Sequence, residues 1–575
     1  MLINEVMNIT GLSKKAIRFY ETKGLLTVSR RENGYRYYSD DNIKVLKKIK
    51  FLRSCGVSVP DIKLLFSGII TIDELIKKRK KEIENEYGHY SEVLSDVSDA
   101  FENYQKDEYD LNIQFEETAE SIPLSDKLIL GIDIGSTTIS AAVIDLENPE
   151  HTEAYNIPNN SALSPASKSF YEQDAEKIYS DVLKLTELII SSYPNIKSIG
   201  VTGQMHGILY TDKDGNAISP LYTWQDKRAD EKFCGNLSYC DKIFKITGKT
   251  IFSGFGFATH FYNTKNGLLP SNAHSFCSIM DYIVMKLTNS NLPIIHTSVA
   301  ASFGLFDINS SVFDLDAIKK LGLHNITLPQ ITVDYTLAGK YKSYPVSVAI
   351  GDNQASFIGS VRDIDNTILV NIGTGSQISY LSDTEKPNND LELRPLAKDK
   401  FILCGSALCG GKAYAILEKF FKSFATSAFS NTSSQYTVLN NLAEDAYKSG
   451  QKPLDVNTTF CGKRGNPGIF GSILDITEDN FTPGQLALGF IYGICRELHE
   501  FIDKNTDKNI VVASGNAVRK IPIMKNVLED IFNMPVLVSY AKEEASVGAA
   551  LFSASASGYY CGIYETSEFI NYERK

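Results

Sequence analysis

The chain has 575 residues, of which 43% are hydrophobic and 22% are charged, and its formal net charge is -11. This length exceeds one ordinary hydrophobic core and predicts about three or four domains, while no apolar run approaches the roughly 20 residues that span a bilayer. The nine cysteines are scattered and form no C-x-x-C pair, which argues against a disulfide framework and a Cys-rich zinc site and predicts reduced thiols. The N-terminus has no apolar signal-peptide core, so we expect a cytoplasmic protein.

Charge is distributed unevenly along the chain. Residues 1–70 contain 13 Lys and Arg against 6 Asp and Glu, a net charge of +7, whereas residues 71–126 contain 6 against 16, a net charge of -10. A basic N-terminal segment on an otherwise acidic protein indicates nucleic-acid binding at that end only.

The first 20 residues have the spacing of a helix-turn-helix. Leu2, Val6 and Ile9 share one helical face, Gly11 interrupts the pattern, and Ser13 can cap a second helix. We expect the basic residues of the second helix to point outward, which suits phosphate and base-edge contacts in a DNA major groove. These residues are Lys14, Lys15 and Arg18.

Turn and cap residues predict a wing and two more helices. Asn33-Gly34 favours a hairpin turn before a short wing at residues 35–38. Ser39 can cap a third helix, and Pro60 can open a fourth.

This order of elements resembles the MerR family of winged helix-turn-helix regulators over about 70 residues. The matching segments are Ile3-Asn4-Glu5-Val6, Thr10-Gly11-Leu12-Ser13, Ile17-Arg18-Phe19-Tyr20-Glu21, Gly24-Leu25-Leu26, Asn33-Gly34-Tyr35-Arg36-Tyr37-Tyr38 and Cys55-Gly56-Val57. The resemblance implies double-stranded DNA as a partner; for any single basic residue here, the alternative is a solvated surface charge. The implied DNA-binding residues are Lys14, Lys15, Arg18, Tyr20, Tyr35, Arg36 and Tyr38.

A coiled-coil seam is predicted next. Apolar positions alternate by four and three residues at Ile83, Tyr87, Tyr90, Leu94, Val97, Phe101 and Tyr104. MerR-like regulators dimerise through a helix at this place, so the resemblance implies a homodimer. The alternative is a helix packed on the rest of its own chain. The acidic, polar residues 105–126 read as a linker.

Two strand–loop–strand hairpins follow, about 240 residues apart. The first, at residues 128–145, contains the small-residue loop Gly135-Ser136-Thr137-Thr138, and the second, near residue 373, contains Gly373-Thr374-Gly375. Exposed glycine amides bind phosphate oxygens without side-chain obstruction. Two such hairpins imply two related α/β lobes, a repeat that resembles the two-lobed actin-like ATPase (ribonuclease H-like) fold of actin, hexokinase and sugar kinases.

An acidic residue stands at the start of a helix near the second hairpin. Asp352 follows an apolar strand and Gly351, where a carboxylate either caps the helix or serves as a general base for a hydroxyl. Its position beside a phosphate loop favours the general base.

Several motifs resemble the FGGY carbohydrate kinases, and within them the sedoheptulokinase-like and xylulokinase-like ketose kinases, from about residue 127 to 555. They are Gln204-Met205-His206-Gly207, Trp224-Gln225-Asp226-Lys227-Arg228, the run from Gly254 to Thr259, and Gly351-Asp352-Asn353-Gln354. Where many members place Lys and Trp, this chain has His260 and Asn263, which argues against a strict xylulose or glycerol assignment.

The resemblance implies a role for each group of residues, with ATP and Mg2+ as cofactors. Asp352 is the catalytic base, and Asp133 holds Mg2+ through water. The alternative for the Asp226–Arg228 pair is a surface ion pair, and for His206 a satisfied core residue. The implied sugar-binding residues are Gln204, Met205, His206, Trp224, Asp226, Arg228 and Asn353. The implied ATP-binding residues are Gly135, Ser136, Thr137, Thr138, Gly373, Thr374, Gly375, Gly410, Gly411, Gly515 and Asn516.

We therefore expect a DNA-binding domain at 1–70, a dimerisation helix and linker at 71–125, a first kinase lobe at 126–360 and a second at 361–575. The predicted activity is ATP-dependent phosphorylation of a ketose by a protein that also binds DNA. The rival hypothesis is a sugar-sensing regulator whose kinase fold binds ligand with little or no catalysis. Fold alone does not separate the two.

Overall fold

A computed structural model of the chain describes residues 1–30, 35–87, 124–382, 391–463, 468–502 and 506–573. The chain divides into two compact units, Met1–Leu124 with Leu183–Pro194, and Ser125–Val182 with Asn195–Lys575. Across the described ranges, no helix has both the length and the apolar character needed to cross a membrane.

The N-terminal unit begins with the predicted order of helices and wing strands. Ser13 caps the second helix by accepting a hydrogen bond from the Ala16 amide at 3.1 Å. Ser39 caps the third helix, and Gly11 ends the first with a left-handed φ of 65°. The predicted caps are therefore confirmed. The elements are α1 Ile3–Thr10, α2 Lys14–Thr22, β1 Ser29–Arg30, β2 Arg36–Tyr37, α3 Asp40–Ser54, α4 Val59–Phe66 and α5 Ile72–Tyr87.

The wing strands pair across a turn that lies outside the described residues. Ser29 is opposite Tyr37 in an antiparallel pair, and the predicted Asn33-Gly34 turn would join the two strands. The helix α5 reaches Tyr87, so it includes only the first two positions of the predicted coiled-coil seam. The positions from Tyr90 to Tyr104 lie outside the described residues, and the dimer seam stays a prediction.

The C-terminal unit contains two large sheets built on the same plan. Five neighbouring strands of the first sheet lie in the spatial order 152–158, 138–145, 128–134, 196–203 and 344–347, and five of the second lie in the order 400–407, 376–382, 367–372, 510–514 and 536–538. Each sheet therefore has an antiparallel hairpin, a third strand antiparallel to the second strand of that hairpin, and two parallel strands on the other side of its first strand. This shared topology confirms the two related lobes that the repeated hairpins predict.

The strands of the first sheet are β3 Leu128–Ile134, β4 Thr138–Asp145, β5 Thr152–Pro158, β7 Ile196–Gly203, β17 Leu337–Tyr341, β18 Tyr344–Ser347 and β19 Ile350–Gly351. Those of the second are β20 Thr367–Ile372, β21 Ser376–Ser382, β22 Glu392–Ala397, β23 Lys400–Ala407, β26 Ile510–Ser514 and β27 Val536–Val538. Shorter strands are β6 Glu172–Gln173, β8 Leu209–Thr211, β9 Leu221–Tyr222, β10 Lys232–Cys234, β11 Leu237–Ser238, β12 Ser275–Cys277, β13 Ile294–His296, β14 Phe306–Asp307, β15 Val312–Phe313, β16 Gln330–Thr332, β24 Asp455–Asn457 and β25 Ser472–Leu474.

The remaining described part of the chain contains the other helices. They are α6 Ala175–Ser192, α7 Tyr239–Thr247, α8 Gly256–Lys265, α9 Ile279–Thr288, α10 Thr297–Ser302, α11 Leu315–Leu321, α12 Asp352–Ile358, α13 Gly410–Phe429, α14 Tyr436–Lys448, α15 Pro483–His499, α16 Asn516–Lys520, α17 Met524–Phe532, α18 Glu544–Ala556 and α19 Ile563–Ser567.

The helix α18 fixes the position of the segment that contains Asp352. It packs on β3 and β7 and against α12, although it comes from the far end of the chain. Glycines permit backbone contact at both places: a Cβ on Gly131 would lie 1.8 Å from the Ser546 carbonyl oxygen, and one on Gly548 would lie 1.8 Å from that of Ala355. A larger side chain at either glycine would force these elements apart.

Candidate functional site

Asp352 is the first residue of α12, directly after the short strand β19. The Thr202 hydroxyl donates to the Ile350 carbonyl at 2.7 Å, and the Gly351 amide donates to the Ser298 hydroxyl at 3.1 Å. A Cβ on Gly351 would lie 2.7 Å from the Met205 sulfur. These contacts hold the carboxylate at the ends of parallel strands, and a side chain at position 351 would fit only if the side chains of Met205 and Gln354 moved.

Asp133 and Asp352 form a pair of crowded carboxylates. The pKa of Asp133 is raised to about 8, first by burial and then by the charges of Asp352 and Glu543. Burial also raises the pKa of Asp352, against the hydrogen bonds of Asn353 and the charge of Arg394. Such crowding favours the arrival of a cation or a proton at Asp133.

The loop at residues 135–138, the predicted first phosphate loop, is hydrogen-bonded through Ser136 to the two predicted sugar motifs, which contain Gln204 and Trp224. Its hydroxyl donates to the Gln204 side-chain oxygen at 3.2 Å and accepts from the Trp224 indole N–H at 3.0 Å. Its carbonyl accepts from Gln173 at 2.8 Å, and Gln204 in turn donates to Gln173 at 2.7 Å. Thr137 and Thr138 remain exposed beside this network. The structure thus brings together three motifs that are far apart in sequence.

The loop at residues 373–375, the predicted second phosphate loop, lies against two other predicted ATP-binding segments, at residues 410–411 and 515–516. The Gly411 amide donates to the Gly373 carbonyl at 2.9 Å, and a Cβ on Gly410 would lie 2.5 Å from the Gly375 carbonyl carbon. Gly515 has a φ of 92°, and a Cβ there would lie 2.7 Å from the Ile372 oxygen. Thr374, Gly375 and Asn516 are exposed. The loop is therefore open to solvent at Thr374 and Gly375.

Met205 lies beside the segment that contains Asp352, and His206 follows it in the chain. The Asn353 amide nitrogen is 3.9 Å from the Met205 sulfur. His206 has a left-handed φ of 71°, its Nδ1 is 2.9 Å from the Ser302 carbonyl oxygen, and its ring stacks on Phe255 with centroids 4.4 Å apart. The imidazole is therefore held in one orientation by Ser302 and Phe255.

Asp226 and Arg228 form a buried pair, which corrects the expectation that they lie open to sugar hydroxyls. Arg228 is 1% exposed, and it donates to both oxygens of Asp226 at 2.7 and 2.9 Å. It also donates to Asn263 at 2.9 Å and to Glu172 at 2.6 Å. With its hydrogen bonds made internally, the pair supports the Trp224 segment and is neither a sugar ligand nor a surface ion pair.

The residues that depart from the family pattern belong to the same buried network. Asn263 accepts from Arg228, and the Tyr210 hydroxyl lies 2.9 Å from the Nδ1 of His260. Burial lowers the pKa of His260 to about 4, so its imidazole is neutral. His260 and Asn263 therefore belong to the buried core of this unit.

The DNA-binding candidates fall into two groups. Lys14, Lys15 and Arg18 are exposed on α2, and Tyr35 is 67% exposed in the wing. Arg36 pairs with Glu21 at 2.7 Å, which ties the wing to α2. Tyr20 and Tyr38 are 2% and 0% exposed, so the structure corrects their assignment: they belong to the hydrophobic core.

Sequence reasoning missed two charged residues near the carboxylate pair. Glu543 precedes α18, accepts from Asn156 at 2.9 Å and raises the pKa of Asp133. Arg394, on β22, bonds Glu392 at 2.6 Å and lowers the pKa of Asp352. Neither lies in a motif with a local signal, because only tertiary contacts bring them to the site.

Comparison with known proteins identifies two regions. Residues 128–369 match the N-terminal domain of the FGGY family of carbohydrate kinases, and residues 1–69 match the MerR HTH family of regulatory proteins. Sedoheptulokinase of Mus musculus is 25% identical over 468 residues, which cover 73% of this chain and 96% of that protein. Xylulose kinase of Staphylococcus xylosus is 23% identical over 478 residues, which cover 78% of this chain and 95% of that protein.

Solved structures have the same fold as the C-terminal unit. A xyloylose kinase from Brucella ovis superposes with a TM-score of 0.66 at 18% identity, covering 78% of this chain and 94% of that chain. Glycerol kinase from Plasmodium falciparum, solved with ADP, gives a TM-score of 0.64 at 20% identity and covers 77% and 92%.

Proposed function

We propose that the chain phosphorylates a ketose with ATP and binds DNA through residues 1–70, because residues 128–369 match the N-terminal domain of the FGGY family of carbohydrate kinases and residues 1–69 match the MerR HTH family. The observation that carries the ketose assignment is the Ser136 network. It joins the loop at residues 135–138 to Gln204 and Trp224, and the residue after Gln204, Met205, contacts the side chain of Asn353, next to Asp352 in the chain. The kinase lobes would comprise residues 126–360 and 361–575.

In this proposal Asp352 is the general base. It accepts the proton of the sugar hydroxyl as that oxygen attacks the γ-phosphorus of ATP, and the bond from the phosphorus to the bridging oxygen of ADP breaks. Gly373, Thr374 and Gly375 would bind phosphate oxygens through exposed backbone amides. Gly410, Gly411, Gly515 and Asn516 would surround the nucleotide.

Mg2+ fits the charge of this site. A carboxylate with a pKa near 8 gains from a neighbouring cation, and Asp133 has this property. Within the described residues, no three side chains of His, Cys, Asp and Glu form a cage that could hold a metal alone. Asp133 would therefore hold the ion through water, together with ATP phosphates, and the ion would neutralise charge on the transferred phosphoryl group.

We predict that seven-carbon or five-carbon ketoses are better substrates than glycerol or aldohexoses. Sedoheptulose, xylulose, glycerol and glucose would be compared side by side by their kcat/KM values in a coupled ADP-release assay. A site built from hydrogen bonds to sugar hydroxyls discriminates strongly against compounds that leave those groups unpaired. If glycerol gave the highest kcat/KM, the ketose assignment would have to be abandoned.

We also predict that the protein binds DNA as a dimer. Ala substitution of Lys14 or Arg18 should weaken binding to all sequences tested and lower the salt slope by about 1 if the side chain contacts a phosphate. The control is Lys44→Ala, since Lys44 lies on α3, 3.9 Å from Asp41. Gel shifts on the gene's upstream region would measure this, and a footprint limited to one half-site would contradict the dimer.

The rival function, a sugar-sensing regulator, is favoured by the MerR match alone. Gel shifts repeated with a ketose and a non-hydrolysable ATP analogue test whether ligand changes DNA binding. Ketose-dependent binding without phosphorylation would favour the sensor. Phosphorylation with unchanged DNA binding would leave two independent functions on one chain.

A further inference from the structure

Two cysteine sulfurs lie in contact next to the second phosphate loop. Cys409 comes directly before α13, and its sulfur is 3.4 Å from that of Cys461. Cys409 is fully buried, Cys461 is half-buried, and both are free thiols. The distance is within reach of a disulfide after a small movement, because the S–S bond is about 2.05 Å long.

We propose that Cys409 and Cys461 form a covalent modification site, at which a small-molecule disulfide or a peroxide converts the two thiols to a disulfide that weakens ATP binding. The effect on ATP rests on the proposed nucleotide role of the adjacent glycines. Formation of the disulfide does not depend on that role.

The chemistry starts at Cys461, which is the more accessible thiol. Its thiolate attacks a small disulfide, forms a mixed disulfide and releases one small thiol; the Cys409 sulfur then displaces the second small thiol as its own proton leaves. With hydrogen peroxide, Cys461 becomes a sulfenic acid with loss of water, and attack by Cys409 releases a second water. Burial raises the pKa of Cys409 to about 12, so Cys409 is the second sulfur to react, through its proximity.

The glycines after Cys409 connect this bond to the loop. To form the disulfide, the sulfurs must approach each other by more than about 1 Å. Gly410 and Gly411 pack tightly against the loop. A Cβ on Gly410 would lie 2.5 Å from the Gly375 carbonyl carbon, and the Gly411 amide donates to the Gly373 carbonyl at 2.9 Å. Movement of Cys409 therefore shifts the backbone that faces the ATP phosphates.

The residue before Cys461, Phe460, is restrained by an aromatic contact. Phe460 stacks on Phe490 of α15, with ring centroids 5.5 Å apart and an angle of 11° between the planes. This stacking limits how far the Cys461 backbone moves toward Cys409. Cys409 must therefore move as well when the disulfide forms, and its movement displaces the backbone next to the loop at residues 373–375.

The test treats the full-length protein with oxidised glutathione or hydrogen peroxide and maps its peptides by mass spectrometry. We expect a peptide pair linking residues 409 and 461 with the loss of two hydrogens. ATP binding, measured by calorimetry, should weaken about tenfold and return after reduction. Cys461→Ser should bind ATP like the reduced protein and lose the response to oxidant.

Cys234→Ser serves as the matched control, because Cys234 is an exposed thiol on β10 and its loss should leave the response intact. Absence of the 409–461 link, a link to another cysteine, or a formed link with unchanged ATP affinity would each overturn the inference. Failure of the reduced protein to bind ATP would instead count against the proposed function.

Discussion

Replacement of Asp352 by asparagine should lower turnover about 100- to 10,000-fold, the usual range for loss of a general base. The amide keeps the shape of the side chain but does not accept the proton of the sugar hydroxyl. Because burial already raises the pKa of Asp352, a neutral group at this position should not disturb the fold. Turnover by coupled ADP release, sugar affinity by calorimetry and a thermal melt would measure the three effects.

The matched control is Asp181→Asn, which removes a carboxylate that pairs with Lys177 on α6. Turnover of this variant should equal that of the wild type. For the wild type, kcat/KM should fall as pH drops through the raised pKa of Asp352, because only the ionised carboxylate accepts a proton. Near-normal turnover of Asp352→Asn would refute the assignment of the base.

Replacement of Arg228 by methionine should lower the free energy of unfolding by about 3–5 kcal/mol, the cost of breaking a buried ion pair from one side. Arg228 and Asp226 are 1% and 0% exposed, so the variant would leave the Asp226 carboxylate buried without its cation. Glu172 and Asn263 would lose a donor as well. Urea unfolding followed by tryptophan fluorescence would measure the change, since Trp224 is the only tryptophan.

A surface pair provides the comparison. Lys127 and Glu147 are each 51% exposed and lie 3.0 Å apart, so Lys127→Met should cost only about 0–1 kcal/mol. The double variant Asp226→Asn with Arg228→Met should recover part of the stability lost by Arg228→Met alone, because it removes the unpaired charge. An equal loss for Arg228→Met and Lys127→Met would show that the buried network is not needed for stability.

The sequence by itself determined the elements whose signals are local. Ser13 and Ser39 predict helix starts because a side-chain oxygen near a helix N-terminus satisfies an amide within three residues. The repeated hairpins at Gly135 and Gly373 predicted two lobes for the same reason: strand, small-residue turn and returning strand are neighbours in the chain. Resemblance to the FGGY family then supplied the candidate base, Asp352.

Tertiary structure alone decided which polar and aromatic side chains lie inside. Asp226 and Arg228 look like ligands in a motif, yet Glu172 and Asn263, distant in sequence, complete their hydrogen bonds and bury them. Tyr20 and Tyr38 likewise belong to the core rather than to the DNA-binding surface. Glu543 reaches Asp133 only because α18 returns from the end of the chain to pack on β3. Burial and electrostatic contact depend on which elements pack together, and a window of sequence does not contain its packing partners.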